Sequence, residues 1–348
     1  MRSAVTVASI LALVAQSPTF DVQSRLVLVP VVVTDAKGHA IEDLGNADFR
    51  VSDNGRRLQA TVDTFATGVA PIALVVAVQS SGISAPVLAK VRKIGSMIQP
   101  LITGERGCAA LLSFSERVEW LQPCTTDVDA LSCAFQELRP GDDTSGRMVD
   151  AVDEAIAHLR TRVNVRRVLL LISESRDRGS NKDVDSVVVA AQSAGVTVYA
   201  ATYSAMKTAF TAKPSDTGPA HVREGVPVPS REPESPPGRE RVPIPPPQQR
   251  VDLPAAIVEL SRLHMPKTTE VLSAATGGTA FPFTRQKGLE NAIRKLGDEL
   301  HSQYVVSFIP DDPSPGYHRI DVQVVRSGDF RIRARPGYWW TSTARTSR

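Results

Sequence analysis

The chain has 348 residues, 42% of them hydrophobic and 22% charged, with a formal net charge of +3. That length supports one large domain or two. The 40 Lys and Arg residues are spread along the chain without interleaved aromatics, which argues against a nucleic-acid-binding surface.

Met1-Arg2-Ser3 and the apolar stretch from Ala4 to Ala15 predict a secretory signal over residues 1–17, with a first buried strand as the alternative. The run falls short of the roughly 20 apolar residues that span a membrane, and no other segment reaches that length. Residues 20–66 read as a β-module. Leu26 to Thr34 is strongly β-branched, Asp35-Ala36-Lys37-Gly38 is a turn, and Phe49-Arg50-Val51-Ser52 runs into a hairpin turn at Asp53-Asn54-Gly55.

Over residues 70–206 strands and helices alternate. Ile72 to Val78 is a continuous apolar run, as expected of a strand covered on both faces. A helix follows over Pro86–Ile98, with Val87, Val91, Ile94 and Ile98 on one face. Next come strands at Gly107–Phe114 and Val118–Leu121 and helices at Asp127–Leu138 and Met148–Arg162. A buried strand at Arg167–Ile172, a helix at Val184–Ala194 and a strand at Val196–Tyr203 complete the series. This rhythm predicts an α/β fold, a doubly wound and largely parallel sheet.

Between residues 207 and 251 the composition breaks. Eleven of the 25 prolines fall within 213–250 with little apolar material, which predicts a disordered or polyproline-II insertion. The α/β pattern resumes over 252–302, with helical stretches to Thr276 ended by Gly277-Gly278, a strand at Thr279–Phe283 and a helix at Lys287–His301. Gly277 suits a helix C-cap better than a phosphate loop. Residues 303–341 hold three β-segments, Tyr304–Ile309, Arg319–Val325 and Phe330–Ala334.

Three cysteines cannot all pair within the chain. Cys108 lies in an apolar run and reads as a small core residue. Cys124 and Cys133 are left either to bridge a loop to a helix in an oxidising compartment or to remain free thiols. No Cys/His group has zinc spacing.

Three stretches carry a family resemblance. They are Val31 to Gly38 with Asp48-Phe49-Arg50-Val51, Leu272-Ser273-Ala274-Ala275-Thr276-Gly277-Gly278-Thr279-Ala280-Phe281, and Leu300-His301-Ser302-Gln303-Tyr304-Val305-Val306 with Arg333-Ala334-Arg335-Pro336-Gly337-Tyr338. Together they resemble von Willebrand factor A-like domains, more narrowly the bacterial VWFA-related family known from acidobacteria. The β-module before the A-type domain and the strands after it suggest, from their patterning, that the flanking segments pair into one small β-sandwich with the A-type domain inserted between them. Contacts between residues near 30 and residues near 320 would test this. The resemblance implies a metal-ion-dependent adhesion site where open α/β sheets place ligands.

That site, as the family has it, needs Asp-x-Ser-x-Ser after the first strand, a Thr from a second loop and an Asp after a later strand, because Mg²⁺ wants hard oxygen ligands and carboxylate charge. Here Gln79-Ser80-Ser81-Gly82-Ile83-Ser84 places an amide at the Asp position and Ile83 at the second Ser. In the second loop, counting back from Asp150 puts Gly146 at the Thr position, with Thr144 or Ser145 serving if the loop holds an insertion. Glu174 stands at the last Asp position, one methylene too long, followed by Asp177. The resemblance thus implies a ligand face at Gln79, Ser80, Ser81, Ser84, Thr144, Ser145, Glu174 and Asp177. No metal is assigned. If Mg²⁺ binds weakly, Ser81, Thr144 and Glu174 would hold it. A hydrogen-bonded loop cluster without an ion is favoured, and Arg176 and Arg178 beside Glu174 add to that preference.

Neither a nucleophile elbow nor a phosphate-cradling glycine loop is present, and His158 and His264 lack an evident catalytic partner, so no catalytic residue and no cofactor is expected. The leading expectation is a secreted, periplasmic or envelope protein that binds a protein or surface-polymer ligand through the top of the A-type domain. A structural envelope component with an inert face is the alternative, with a hydrolase a distant third. Oligomeric state is not legible.

Overall fold

The computed structural model describes residues 26–63, 70–204, 267–312 and 314–340. The predicted signal, the whole of the proline-rich insertion and the helical stretch before residue 267 lie outside the described residues.

The chain is α/β. Its central six-stranded sheet is built from β5 (Ile72–Gln79), β6 (Cys108–Phe114), β7 (Val118–Thr125), β8 (Arg166–Glu174), β9 (Val196–Tyr203) and β10 (Ala280–Pro282). The strand order is β10-β9-β8-β5-β6-β7, parallel throughout except for the β6–β7 hairpin. Every residue of β5 is buried, as its unbroken apolar run requires. Helices α1 (Ala85–Val91), α2 (Gly95–Ile98), α3 (Val128–Glu137) and α7 (Gln286–Ser302) contribute to the core on one face. Helices α4 (Met148–Arg160), α5 (Val184–Ala194) and α6 (Thr268–Thr276) contribute to the core on the other. The sheet is therefore doubly wound.

The helix predicted over Pro86–Ile98 is broken. A 3-10 turn at Arg92–Ile94 separates α1 from α2, and a π-helical segment at Gln99–Thr103 follows. Val87, Val91, Ile94 and Ile98 are nonetheless all buried, so the apolar stripe was real and the helix bends to keep it on the sheet. Helix α6 ends as expected, with Gly277 in the left-handed region at φ +83°.

The flanking segments form two four-stranded antiparallel sheets. One has the order β13 (Arg331–Ala334), β1 (Val27–Thr34), β11 (Tyr304–Phe308), β4 (Thr61–Asp63). The other has β14 (Gly337–Trp340), β12 (Gly316–Val324), β2 (Phe49–Asp53), β3 (Arg56–Leu58). Their shared core includes Val29, Val31, Val33, Val51, Tyr304, Val306 and Tyr338. The two ends of the chain do pair, but with different partners from those expected: Pro30 faces Val305, whereas Ile320 faces Asp53. Strand β14 was not anticipated at all.

The cysteine reading needs correction. Cys108 and Cys124 form the disulfide, with Cα atoms 5.4 Å apart, and Cys133 is free and exposed on α3. The cause is the β6–β7 hairpin, which runs antiparallel and brings the start of one strand beside the end of the other. Cys108, at the strand entrance, is only half-buried.

An arginine seam joins the sandwich to the amino-end edge of the parallel sheet. Arg333 donates to the Gly277 carbonyl at 2.6 Å and pairs with Glu299 at 2.5 Å. Arg335 donates to the Gln192 carbonyl at 3.1 Å. Arg166, at the entrance of β8, donates to the Leu300 carbonyl at 2.8 Å and to Gln303.

Candidate functional site

Strands β5, β8 and β9 end together on the edge away from the sandwich, and their last residues are Gln79, Glu174 and Tyr203. This is the carboxyl-end edge, where the loops of open α/β sheets bind ligands. The chain leaves the described structure after Ser204 and returns at Lys267 on the same face, where the Thr268 hydroxyl accepts from Asp177 N–H at 3.2 Å.

The centre is a closed polar network. Gln79 is buried, and its Oε1 accepts the main-chain N–H of Glu174 at 2.9 Å. That contact fixes the amide's orientation and turns Nε2 to donate to Ser81 Oγ at 3.0 Å. Ser81 and Ser84 share a hydrogen bond of 3.3 Å, and the Tyr203 hydroxyl donates to Ser84 Oγ at 2.7 Å. Burial pushes the Tyr203 phenol well above its usual range, with the Ser84 contact opposing and the charge of Glu174 adding to the rise. At the network's other end, Arg178 Nε donates to Glu174 Oε2 at 2.8 Å. Both charges of this pair are largely shielded, with side-chain exposures of 28% and 10%.

The surrounding loops are knitted main chain to main chain. Gly82 N–H donates to Asp143 O at 2.7 Å, Gly141 N–H to Ser80 O at 2.6 Å and Arg147 N–H to Ser115 O at 3.0 Å. Gly146 and Arg178 exchange both of their backbone hydrogen bonds. Glycine at 146 leaves room for the amide, since a Cβ there would sit 2.7 Å from Gln79 Nε2.

Of the residues anticipated for this face, Gln79, Ser81, Ser84 and Glu174 are brought together. Gly146, rather than Thr144 or Ser145, abuts Gln79, so no loop insertion moves a hydroxyl into that place. Thr144 is exposed, and Ser145 donates to Asp143 through both N–H and Oγ. Ser80 is buried and acts through its backbone, its N–H donating to Phe114 O at 2.8 Å. The Asp177 carboxylate accepts from Val149 N–H at 3.1 Å and from Ser180, capping α4 instead of facing the centre. Sequence reasoning missed Tyr203. Its one signal was a polar-tipped aromatic ending an apolar strand beside two others that also end in polar residues.

For a hard divalent cation this donor set does not fit. Gln79 directs an N–H, not a lone pair, at Ser81, and the nearest carboxylate, Glu174, already faces a guanidinium. Among the described residues, no three His, Cys, Asp or Glu side chains form a metal-ligating group.

No family model and no curated protein matches the chain. Among solved structures, an aerotolerance-related membrane protein from Bacteroides fragilis is 13% identical, covering 66% of this chain and 99% of its own, with a TM-score of 0.41. BatB from Bacteroides thetaiotaomicron is 14% identical, over 65% and 98%, at 0.40. A von Willebrand factor type A protein from Catenulispora acidiphila is 10% identical, over 85% and 74%, at 0.43. At these scores the likenesses add nothing to the argument from strand order.

Proposed function

We propose that this chain is a non-catalytic interaction protein of A-type architecture, exported to the cell envelope or beyond, whose contact face is the carboxyl-end edge of the parallel sheet. The face works without a metal ion. The observation that carries this reading is the Gln79 amide, which joins Ser81 and Glu174 where a metal-bearing loop would need a carboxylate. Arg178 supplies the positive charge opposite Glu174. The interlocked backbone of the 80–84, 141–147 and 175–180 loops supports a rigid, preorganised contact surface, which lowers the ordering cost of binding. The Cys108–Cys124 disulfide supports an oxidising compartment, as export would provide.

Titration calorimetry with Mg²⁺ and Mn²⁺ tests the metal-free face: no saturable heat is expected. Micromolar binding that disappears in Glu174→Ala would overturn it. Affinity capture from envelope extracts tests the interaction, comparing the native chain with Thr144→Glu and Asp142→Lys on the exposed loop. Retention of the same proteins by both variants counts against this face.

A further inference from the structure

A cleft of about 490 Å³ opens in the sandwich at the corner where the chain passes from β3 to β4. It exists because β3 is short. Pairing between β2 and β3 stops at Val51 and Leu58, so β2 at Phe49 and Arg50 has no strand beside it on that side among the described residues. Val62 lines the cleft from the other sheet. Its N–H is already taken by Asn46 Oδ1 at 3.0 Å, so the vacated position belongs to β2's sheet.

The two faces of that position differ in chemistry. Phe49, Val51 and Leu58 point into the sandwich, are each less than a tenth exposed, and leave the cleft a small apolar floor beneath a lining that is mostly polar. Arg50 and Arg57 alternate with them and are exposed on the outward face. Arg57 stands opposite Ser52, two residues from Arg50, so the two arginines are diagonal neighbours whose charges repel. They are the only charged residues lining the cleft among those described. The nearest carboxylate in register, Asp321, lies across from Ser52, accepts from Gln323 Nε2 at 2.6 Å and does not line the cleft.

We infer that this cleft is a second binding site, distinct from the carboxyl-end face, and that it takes an extended acidic peptide. A segment in the vacated strand position sends alternate side chains inward and outward. Apolar side chains then meet the Phe49–Leu58 floor, and carboxylates fall between Arg50 and Arg57. A chain that alternates acidic and apolar residues matches both faces, and edge addition is an established mode of peptide recognition. With Phe49 N–H already donating to Asn46 O, side-chain charge and burial contribute more to this site than a backbone ladder does.

The test uses the full chain and a fluorescein-labelled Glu-Val-Glu-Val-Glu-Val peptide, read by anisotropy against its Lys-Val counterpart. Saturable binding of the acidic peptide is expected, weakening with salt, with no binding of the basic one. Arg50→Gln with Arg57→Gln should raise Kd about tenfold or more, since charge-assisted hydrogen bonds are lost. Both side chains are exposed, so the thermal midpoint should hold. Absence of saturable binding, equal binding of the two peptides, or native affinity in the double variant overturns the inference.

Discussion

Gln79 Oε1 accepts the main-chain N–H of Glu174 at 2.9 Å, so the ends of β5 and β8 are joined by a side-chain amide. Backbone pairing between the two strands stops at Val78 and Ile172, and the amide continues the connection beyond the ladder. Gln79→Leu keeps most of the volume but leaves the buried Glu174 N–H without its acceptor. An unpaired buried donor costs about 1–3 kcal/mol. Urea unfolding should show a lower midpoint at unchanged slope; a native midpoint would remove Gln79 from this structural role.

Gly146→Ala tests the same contact from the opposite side. The new Cβ would meet Gln79 Nε2 at 2.7 Å, and the amide must swing away from Ser81. The flexible side chain absorbs the clash, so the cost is the lost hydrogen bond, about 1 kcal/mol. Combined with Gln79→Leu, the loss should be less than additive, because both changes remove one interaction. Full additivity in a double-mutant cycle would show the two residues to be independent.

Among three cysteines, the unfolded oxidised chain should show one reactive thiol, Cys133, and three after reduction. The disulfide spans a sequence separation of 16, and in the chain-entropy account a loop of that size stabilises by about 3 kcal/mol. Cys108→Ala with Cys124→Ala should lower stability by that order, whereas Cys133→Ser should leave the thermal midpoint in place. Two reactive thiols before reduction would contradict the pairing.

Alkaline pH should destabilise the chain. Tyr199 and Tyr203 are enclosed, and burial raises both phenols above the ordinary value of 10.0. Their stabilising contribution is complete below pH about 10 and is lost as pH rises, because the unfolded state then binds fewer protons. Each contributes a slope of up to about 1.4 kcal/mol per pH unit. Arg335 opposes them. Burial pulls its guanidinium down to about 10, so between there and 12.5 the folded state has released the proton that the unfolded state retains. Tyr304, Tyr317 and Tyr338 are raised by burial as well, so near pH about 10 the tyrosine losses outnumber the gain from Arg335 and stability declines. Urea midpoints between pH about 9 and about 11 should fall accordingly, and less so in Tyr203→Phe. A flat series would refute the assignment.

Removing Arg333 should weaken the seam. Arg333→Met leaves the Glu299 carboxylate, 13% exposed, without its ion pair and the Gly277 carbonyl without its donor. With Arg333 itself a third exposed, solvent screening limits the loss to about 1–2 kcal/mol. Glu299→Gln in the same background should recover part of it. Equal stability of native and Arg333→Met chains would show the pair to be idle.

Much of this fold was legible in the sequence because local pattern and burial coincide. The unbroken apolar run of β5, the alternation along β12 and the left-handed Gly277 cap each follow from local chemistry. What was not legible depends on which strands become neighbours. Sequence spacing pointed to Cys124 and Cys133, whereas the hairpin geometry selects Cys108. Strand β14 was hidden because Gly337-Tyr338-Trp339-Trp340 has no alternation of polarity to announce it. In the loops, the substitutions at Gln79 and Glu174 were visible as departures from a pattern. The hydroxyl that completes the network arrives through space from Tyr203, more than a hundred residues along the chain from its partner Ser84.

The seam also gives the molecule a direction. The described chain enters near Leu26 and leaves near Trp340, both within the sandwich, while Gln79, Glu174 and Tyr203 crown the far edge of the parallel sheet. A load applied between the sandwich and a partner held at that far edge would run along the parallel strands. It would cross the contacts of Arg333 and Arg335 before reaching the sheet. Arg333 and Arg335 are thus side-chain contacts through which the sandwich and the α/β unit bear on each other.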